Sequence, residues 1–172
     1  MNTFDNRKQG HDTDAPPNLI EFMLKSWKPV VPRVAPVRNL ANFAARRAAL
    51  SAKFPGDLIV VPNGHLKVRA NDTHYAFRAC TDFFYLTGNQ EPDCVLVLVP
   101  EGRAHRAVLF VEPNPGKSDA TFFTDRVKGE LWEGARLGVG ESAKKYGISD
   151  TRGLPELEAS LRGFVSASQV RV

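Results

Sequence analysis

Apolar residues in the first third of the chain recur at helical spacing. Between positions 39 and 54 they fall three or four residues apart, which predicts one helix that packs an apolar stripe on a sheet. The members of that stripe are Leu40, Phe43 and Leu50. Asn39 is suited to the N-cap, because its side-chain oxygen can accept hydrogen bonds from the first amides of a helix. A shorter amphipathic run at 19–27 predicts a second helix.

The middle of the chain holds short apolar runs bounded by turn residues, a pattern typical of strands. The run at 58–62 is continuously apolar and predicts a central strand covered on both faces. Further strands are predicted at 83–87, 95–99 and 107–111, the last two as a hairpin.

Helical spacing returns after residue 115. It predicts helices at 119–131, 140–146 and 154–164, a loop at 151–155 and a last strand at 168–172. One helix, consecutive strands, more helices and a final strand together predict an α/β fold, in which a mixed β-sheet is flanked by helices.

Length and composition fit one domain preceded by an extension. The chain has 172 residues, of which 42% are hydrophobic, enough for one core. Because residues 1–18 are polar, we interpret 1–38 as a partly disordered N-terminal extension with a short helix, and 39–172 as the domain. No apolar stretch is long enough to span a membrane, and the first residues lack the apolar segment of a secretory signal. Cys80 and Cys94 are therefore predicted to be reduced thiols of a cytoplasmic protein.

The positive charge of the chain is concentrated near its beginning. The formal net charge is +4, yet residues 1–70 hold 11 Lys and Arg against 5 Asp and Glu, a local excess of +6. No nucleic-acid-binding motif accompanies this excess, so we interpret it as a solvated surface and predict neither a nucleic-acid nor a membrane partner.

Three kinds of catalytic or binding site find little support in the sequence. The histidines lack metal-ligand spacing, and although Asp72 and His74 would share one face of a strand, two ligands do not close a site. Cys80 is interpreted as a buried structural cysteine and not as a nucleophile. The glycines of 134–140 match no phosphate-binding pattern, and we expect a tight turn in which Arg136 contacts a neighbour. The four histidines are His11, His65, His74 and His105.

Two segments combine charged and aromatic residues between apolar elements. In the first, Asp72 and Arg78 flank aromatic side chains; the second contains Trp132 and Arg136. An Asp–Arg pair that joins two loops is one interpretation for Arg78. Trp132 lies between acidic and glycine residues, which indicates an exposed aromatic ring of the kind found in interfaces and ligand pockets.

Several ungapped blocks, in one order, carry a family resemblance. They are RRAAL, NDTHYAFRACTDFFYLTGNQEPDCVLVLVP, RAVLFVEP, LWEGARLG and GESAKKYGIS. Over 39–172 the chain resembles the N-terminal domain of bacterial Xaa-Pro aminopeptidase, in the aminopeptidase P, prolidase and creatinase family. The segment EFMLKSWKPV resembles the extension of actinobacterial members.

The resemblance implies a creatinase- and prolidase-like N-terminal domain with a ribonuclease H-like motif, which binds no metal itself. It also implies a separate pita-bread catalytic domain with two Mn²⁺, absent from this sequence, so the chain alone is expected to be inactive. The whole enzyme would remove an N-terminal residue that precedes proline. The N-terminal domain would restrict the cleft and mediate homo-oligomerisation. By resemblance, Asp72 and Trp132 approach an active site, partly across subunits, with Arg136 as their neighbour.

Two other functions remain open at this point. Prolidase, which cleaves only Xaa-Pro dipeptides, has an N-terminal domain of the same type. A stand-alone module of this fold would instead bind peptides or proteins. The net positive charge disfavours basic partners for such a module.

Overall fold

The computed structural model describes residues 15–26, 33–70, 73–114, 116, 120–125 and 128–167. Its helices are α1 (Pro17–Lys25), α2 (Leu40–Lys53), α3 (Thr81–Thr87), α4 (Thr121–Thr124), α5 (Glu130–Glu133), α6 (Val139–Tyr146) and α7 (Leu157–Ala167), the last preceded by a 3-10 turn at Leu154–Glu156. Its strands are β1 (Ile59–Pro62), β2 (Val68–Ala70), β3 (Thr73–His74), β4 (Val95–Glu101), β5 (Ala104–Val111) and β6 (Asp150–Gly153). The last predicted strand, 168–172, lies outside the described residues, as does Trp27.

Four of the strands form a mixed sheet in the order β1-β4-β5-β6. The pairs β1–β4 and β4–β5 are antiparallel, whereas β5 and β6 run parallel. A parallel neighbour requires a crossover connection, and α6 lies in the segment that joins β5 to β6. The predicted α/β class, a mixed sheet with flanking helices, is confirmed.

Each face of the sheet carries a separate apolar core. On one face, Phe83 and Leu86 of α3 and Tyr146 of α6 pack on alternate residues of β4 and β5. On the other face, side chains from the 3-10 turn and α7 cover the intervening strand residues. Alternation along a strand sends successive side chains to opposite faces, so one pair of strands supplies both cores.

The predicted hairpin is present as β4 and β5. Glu101 pairs with Ala104, which leaves a two-residue connection, and Gly102 has a φ of 65°. Two-residue hairpins favour turns with positive φ, because their twist matches that of the strands. Glycine reaches this conformation without steric cost.

The helix predicted at 39–54 is confirmed as α2, but two details are wrong. Asn39 is the N-cap residue, yet its φ of 62° is left-handed and its side chain makes no capping hydrogen bond. Of the predicted stripe, Leu50 packs on the core beneath the sheet, whereas Phe43 packs edge-on against Phe84 of α3. Part of the stripe therefore serves the contact between two helices.

Two strand predictions are wrong. Residues 83–87 belong to α3, because Phe83, Leu86 and Thr87 are buried at helical spacing and Gly88 ends the helix in the left-handed conformation. The run 58–62 forms β1 at the edge of the four-stranded sheet, with alternate residues exposed. An apolar run of five residues fits either assignment until its neighbours are known.

Two later predictions also need correction. The single helix expected at 119–131 is interrupted: α4 and α5 are one turn each, and Gly129 lies between them. The loop expected at 151–155 is in fact β6 followed by the 3-10 turn. The helices predicted at 140–146 and 154–164 correspond to α6 and α7.

The chain divides into two compact units. One comprises Met1–Val31 and Pro115–Ala135, and the other Pro32–Asn114 and Arg136–Val172. The first contains α1, α4 and α5, while the second contains both sheets.

Candidate substrate-cleft residues

Asp72, the first predicted cleft residue, falls between β2 and β3 and lies outside the described residues. The two strands form an antiparallel ribbon, in which Val68 pairs with His74 and Ala70 with Thr73. The amide of Tyr75 extends the ribbon by donating to the carbonyl of Lys67 over 3.0 Å. The role of Asp72 stays a prediction.

Asn63 fixes the segment that leads from this ribbon to α3. Its Oδ1 accepts from the amide of Cys80 at 2.8 Å, and its Nδ2 donates to the carbonyl of Glu91 at 2.7 Å. Its own amide donates to the carbonyl of Cys94 at 2.8 Å. One side chain thus ties the end of β1 to two loops. Asn63 is not among the site residues predicted from sequence, although the Asn-Gly dipeptide that it begins marks a turn.

A buried polar network shapes the loop after α3. Asn89 is fully buried. Its side-chain Oδ1 accepts from the backbone amide of Glu91 at 2.7 Å, and its own backbone amide donates to Thr87 Oγ1 at 3.0 Å. Thr87 Oγ1 donates to the carbonyl of Phe83 at 2.7 Å. Because buried polar groups are costly when unpaired, these bonds specify one loop conformation.

Glu91 links this loop to α6. Its carboxylate accepts from Tyr146 Oη at 3.3 Å and from Lys145 Nζ at 3.4 Å. Burial, together with the negative charge of Glu91, raises the pKa of Tyr146 above its ordinary value, so this phenol stays protonated and donates.

Trp132 lies in α5 and is 55% exposed. Its Nε1 donates to the carbonyl of Phe123 at 2.7 Å, and Phe123 packs edge-on against the buried Phe122. Gly129 allows α4 and α5 to approach, because a Cβ there would lie 2.3 Å from the carbonyl oxygen of Asp125. The indole is therefore held at one end while much of its surface stays accessible, as the sequence predicts.

Arg136 is half-buried in the segment that leads into α6. Its carbonyl accepts from Asn114 Nδ2 at 2.8 Å, which fixes the backbone at this point. Its guanidinium group forms no hydrogen bond or ion pair with another described residue. The expected contact of the Arg136 side chain is thus replaced by a contact of its backbone. Trp132 and Arg136 belong to different compact units.

Arg78 is exposed and forms no ion pair with another described residue. The Asp–Arg pair considered for Arg78 stays a prediction, because Asp72 lies outside the described residues. The interpretation of Cys80 as a buried cysteine is wrong. Cys80 is exposed and not buried, whereas Cys94 is the buried cysteine. Because Cys80 lies directly before α3, its side chain is outside the core that α3 builds.

A serine and a histidine lie within hydrogen-bond distance but are placed as structural groups. Ser51 Oγ is 2.7 Å from His105 Nδ1, and His105 Nε2 is 2.7 Å from the carbonyl oxygen of Asp57. That carbonyl requires the proton on Nε2, so Nδ1 accepts from the hydroxyl. Ser51 is buried within α2, and its hydroxyl is already taken up by the hydrogen bond to His105. The pair joins α2 to β5.

Among the described residues, no group of three or more His, Cys, Asp or Glu side chains could hold a metal ion. Within the same part of the chain, no helix has the length and apolar character needed to cross a membrane.

A family comparison identifies the domain. The sequence model of the family described as "Aminopeptidase P, N-terminal domain" matches residues 43–172. The chain belongs to this family. The match includes Asp72, Trp132 and Arg136.

Curated relatives of this aminopeptidase P domain are Xaa-Pro aminopeptidases. Xaa-Pro aminopeptidase 1 of Streptomyces coelicolor is 44% identical over 159 residues, which cover 91% of this chain and 32% of that protein. Xaa-Pro aminopeptidase of Escherichia coli is 31% identical over 134 residues, or 75% of this chain and 27% of that protein. The predicted resemblance to an actinobacterial enzyme is confirmed. The chain spans about a third or less of the length of these relatives.

Solved structures agree with the aminopeptidase P assignment. Aminopeptidase P from E. coli in a low-pH form superposes with a TM-score of 0.61 at 29% identity, covering 73% of this chain and 26% of that one. A zinc-substituted form of the E. coli protein in complex with product superposes with a TM-score of 0.62 at 28% identity, covering 76% and 27%. The expected creatinase- and prolidase-like fold is confirmed.

Proposed function

We propose that this chain is the non-catalytic N-terminal domain of a metal-dependent Xaa-Pro aminopeptidase, and that it narrows the substrate cleft. The observation that carries the proposal is the exposed indole of Trp132, held by its hydrogen bond to the carbonyl of Phe123. Family membership and the names of the relatives supply the reaction class.

The chemistry of Trp132 suits a cleft wall. An indole offers a large, flat apolar surface with few rotatable bonds, so it orders a bound peptide at low entropic cost. Proline packs well against such a surface because its ring is apolar and rigid. Because the hydrogen bond fixes the edge of the indole, the ring is positioned before a substrate arrives.

The remaining parts of the proposal rest on the resemblance. Metal ions, predicted to be two Mn²⁺, would supply the activated water from a catalytic domain beyond the matched one, since the described residues of this chain do not fit a metal site. Asp72 and Arg136 would line the same cleft as Trp132, and the whole enzyme would form a homo-oligomer in the cytoplasm.

The test is an Xaa-Pro hydrolysis assay on the product of the complete reading frame that encodes this chain, with added Mn²⁺. We expect release of the N-terminal residue from a tripeptide with proline in second position. Cleavage of dipeptides alone would identify a prolidase instead. Absence of turnover on both, in a protein that contains a metal-ligand domain, would contradict the peptidase assignment.

The role of Trp132 is tested in the same enzyme by Trp132→Ala. We expect a loss of about tenfold in kcat/KM, which corresponds to about 1.4 kcal/mol, with metal content unchanged. Phe54→Ala is the matched control, because Phe54 is another exposed aromatic residue but lies at the end of α2. Equal kinetics of Trp132→Ala and wild type would return Trp132 to a purely structural role.

A further inference from the structure

An open apolar groove of about 850 Å³ runs along β1, one of the two edge strands of the four-stranded sheet. Its floor is β1, and its walls come from α2 and from α3 with the residue before it. Leu50 and Leu86 supply apolar wall surface, and Tyr85 is 52% exposed at the rim. All of these residues belong to one compact unit, so the groove is a property of that unit alone.

Alternate residues of β1 direct their backbone N–H and C=O groups away from β4, towards the groove. The amide of Asn63 donates to Cys94, so Asn63 faces β4. Because hydrogen-bonding direction alternates along an antiparallel strand, Val61 and Ile59 also face β4. Val60 and Pro62 then direct their backbone groups away from the sheet, and Pro62 has no amide to offer.

The described residues of this edge lack most of the features that prevent an edge strand from pairing with a strand of another molecule. The strand sequence is Ile-Val-Val-Pro, without a charged residue, and the side chain of Val60 is 40% exposed. Proteins normally protect edge strands with charges, bulges or a covering element, since an open edge pairs with other strands. The groove therefore fits an extended strand that adds to β1.

The two ends of the groove carry side chains of opposite charge. Lys53, at the end of α2, lies towards the beginning of β1, whereas Asp82 lies towards its end, where Cys80 bonds to Asn63. Neither Lys53 nor Asp82 forms an ion pair with a described residue. Arg46 also lines the groove, but its guanidinium stacks on the ring of Tyr85 at 4.2 Å and donates to the Tyr85 carbonyl.

We propose that the groove binds β1 of a second copy of this chain, in antiparallel orientation about a twofold axis. In that orientation Lys53 of each copy comes next to Asp82 of the other, so the charges are complementary twice. Val60 would oppose Val60 and exchange two backbone hydrogen bonds. This proposal specifies the contact of the homo-oligomer named under the proposed function. It rests on that part of the proposed function and not on the peptidase activity.

Self-association of the 172-residue chain tests this directly by sedimentation equilibrium. We expect a reversible dimer, with a dissociation constant raised about tenfold by Lys53→Glu and by Asp82→Lys. The double variant, Lys53→Glu with Asp82→Lys, should restore wild-type association because it exchanges the charges. Lys67→Glu is the matched control, since Lys67 is exposed and does not line the groove.

Hydrogen exchange supplies a second readout at the strand itself. Exchange of the Val60 amide should slow as protein concentration rises, whereas the Val61 amide, already facing β4, should not respond. Two results would overturn the proposal. One is a chain that stays monomeric at 100 μM, about the concentration scale of weak specific association. The other is a dimer whose dissociation constant is unchanged by both Lys53→Glu and Asp82→Lys. Because no substrate is used, these results are independent of the peptidase assay.

Discussion

At the scale of single residues, burial separates groups that look alike in the sequence. Cys80 and Cys94 are both free, but Cys80 is exposed and Cys94 is 2% exposed. Burial raises the pKa of the Cys94 thiol to about 12, and the neighbouring Asn89 amide only partly offsets this. Since the thiolate is the reactive form, the two cysteines should differ in reactivity.

This difference predicts the outcome of thiol labelling at pH 8. The native chain should react rapidly at one cysteine, and at two after denaturation. Cys80→Ser should abolish the rapid reaction, whereas Cys94→Ser should leave it unchanged. The measurement is the mass of the labelled protein over time; rapid labelling of Cys94 in the native Cys80→Ser variant would contradict the buried position.

Between elements, a cluster of charged and aromatic side chains fixes the parallel strand β6. Asp150 accepts hydrogen bonds from Arg152 within β6 and from Arg106 of β5. Both guanidinium groups also lie near the ring of Phe164 in α7, at 5.4 and 5.8 Å from its centroid. The cluster joins β5, β6 and α7, although its members are distant in sequence.

The pKa of Asp150 makes this cluster sensitive to acid. Hydrogen bonding from Arg152, followed by the charges of Arg152 and Arg106, holds that pKa below its ordinary value of 3.8. A lowered pKa in the folded state stabilises the fold at pH values above the unfolded pKa. That stabilisation is lost as the pH falls through the folded pKa.

Asp150→Asn should therefore lower the free energy of unfolding at pH 7 by about 1 kcal/mol, a discounted value because the carboxylate is partly exposed. The difference from wild type should shrink below pH 4. Urea denaturation at several pH values measures this difference. Glu158→Gln is the control, because the ion pair between Glu158 and Arg162 is exposed and should contribute little to stability. A difference that stays constant down to pH 2.5 would exclude this linkage.

At the scale of the whole molecule, the matched domain corresponds to only part of the length of its relatives. The relatives are Xaa-Pro aminopeptidases, and this chain spans about a third or less of their length. We propose that Trp132 faces the other parts of such an enzyme, whereas the groove beside β1 binds a second copy of this chain. We therefore expect the 172-residue chain to act on substrate only as part of such an assembly.

The corresponding prediction is that the 172-residue chain with added Mn²⁺ releases no N-terminal residue from an Xaa-Pro tripeptide. The reason is chemical: the described residues hold no cluster of metal ligands that could activate water. Mass spectrometry of the peptide over many hours measures release. Turnover that persists through successive purification steps would disprove the prediction.

The sequence by itself determined the family, the helix α2, the hairpin β4–β5 and the exposure of Trp132. A stripe repeated over fourteen residues, or two apolar runs around a glycine turn, is a local signal that needs no distant partner. The family blocks are specific because several of them occur in one order over most of the chain.

Only the tertiary structure decided the state of the short apolar runs. Residues 83–87 are helical because one side of α3 is buried against the sheet. The strand β1 lies at an edge because, among the described strands, it pairs with β4 alone. Residues 150–153 form a strand because β5 offers a parallel neighbour. Strand position and burial depend on contacts far apart in sequence, and a run of four or five residues does not encode them.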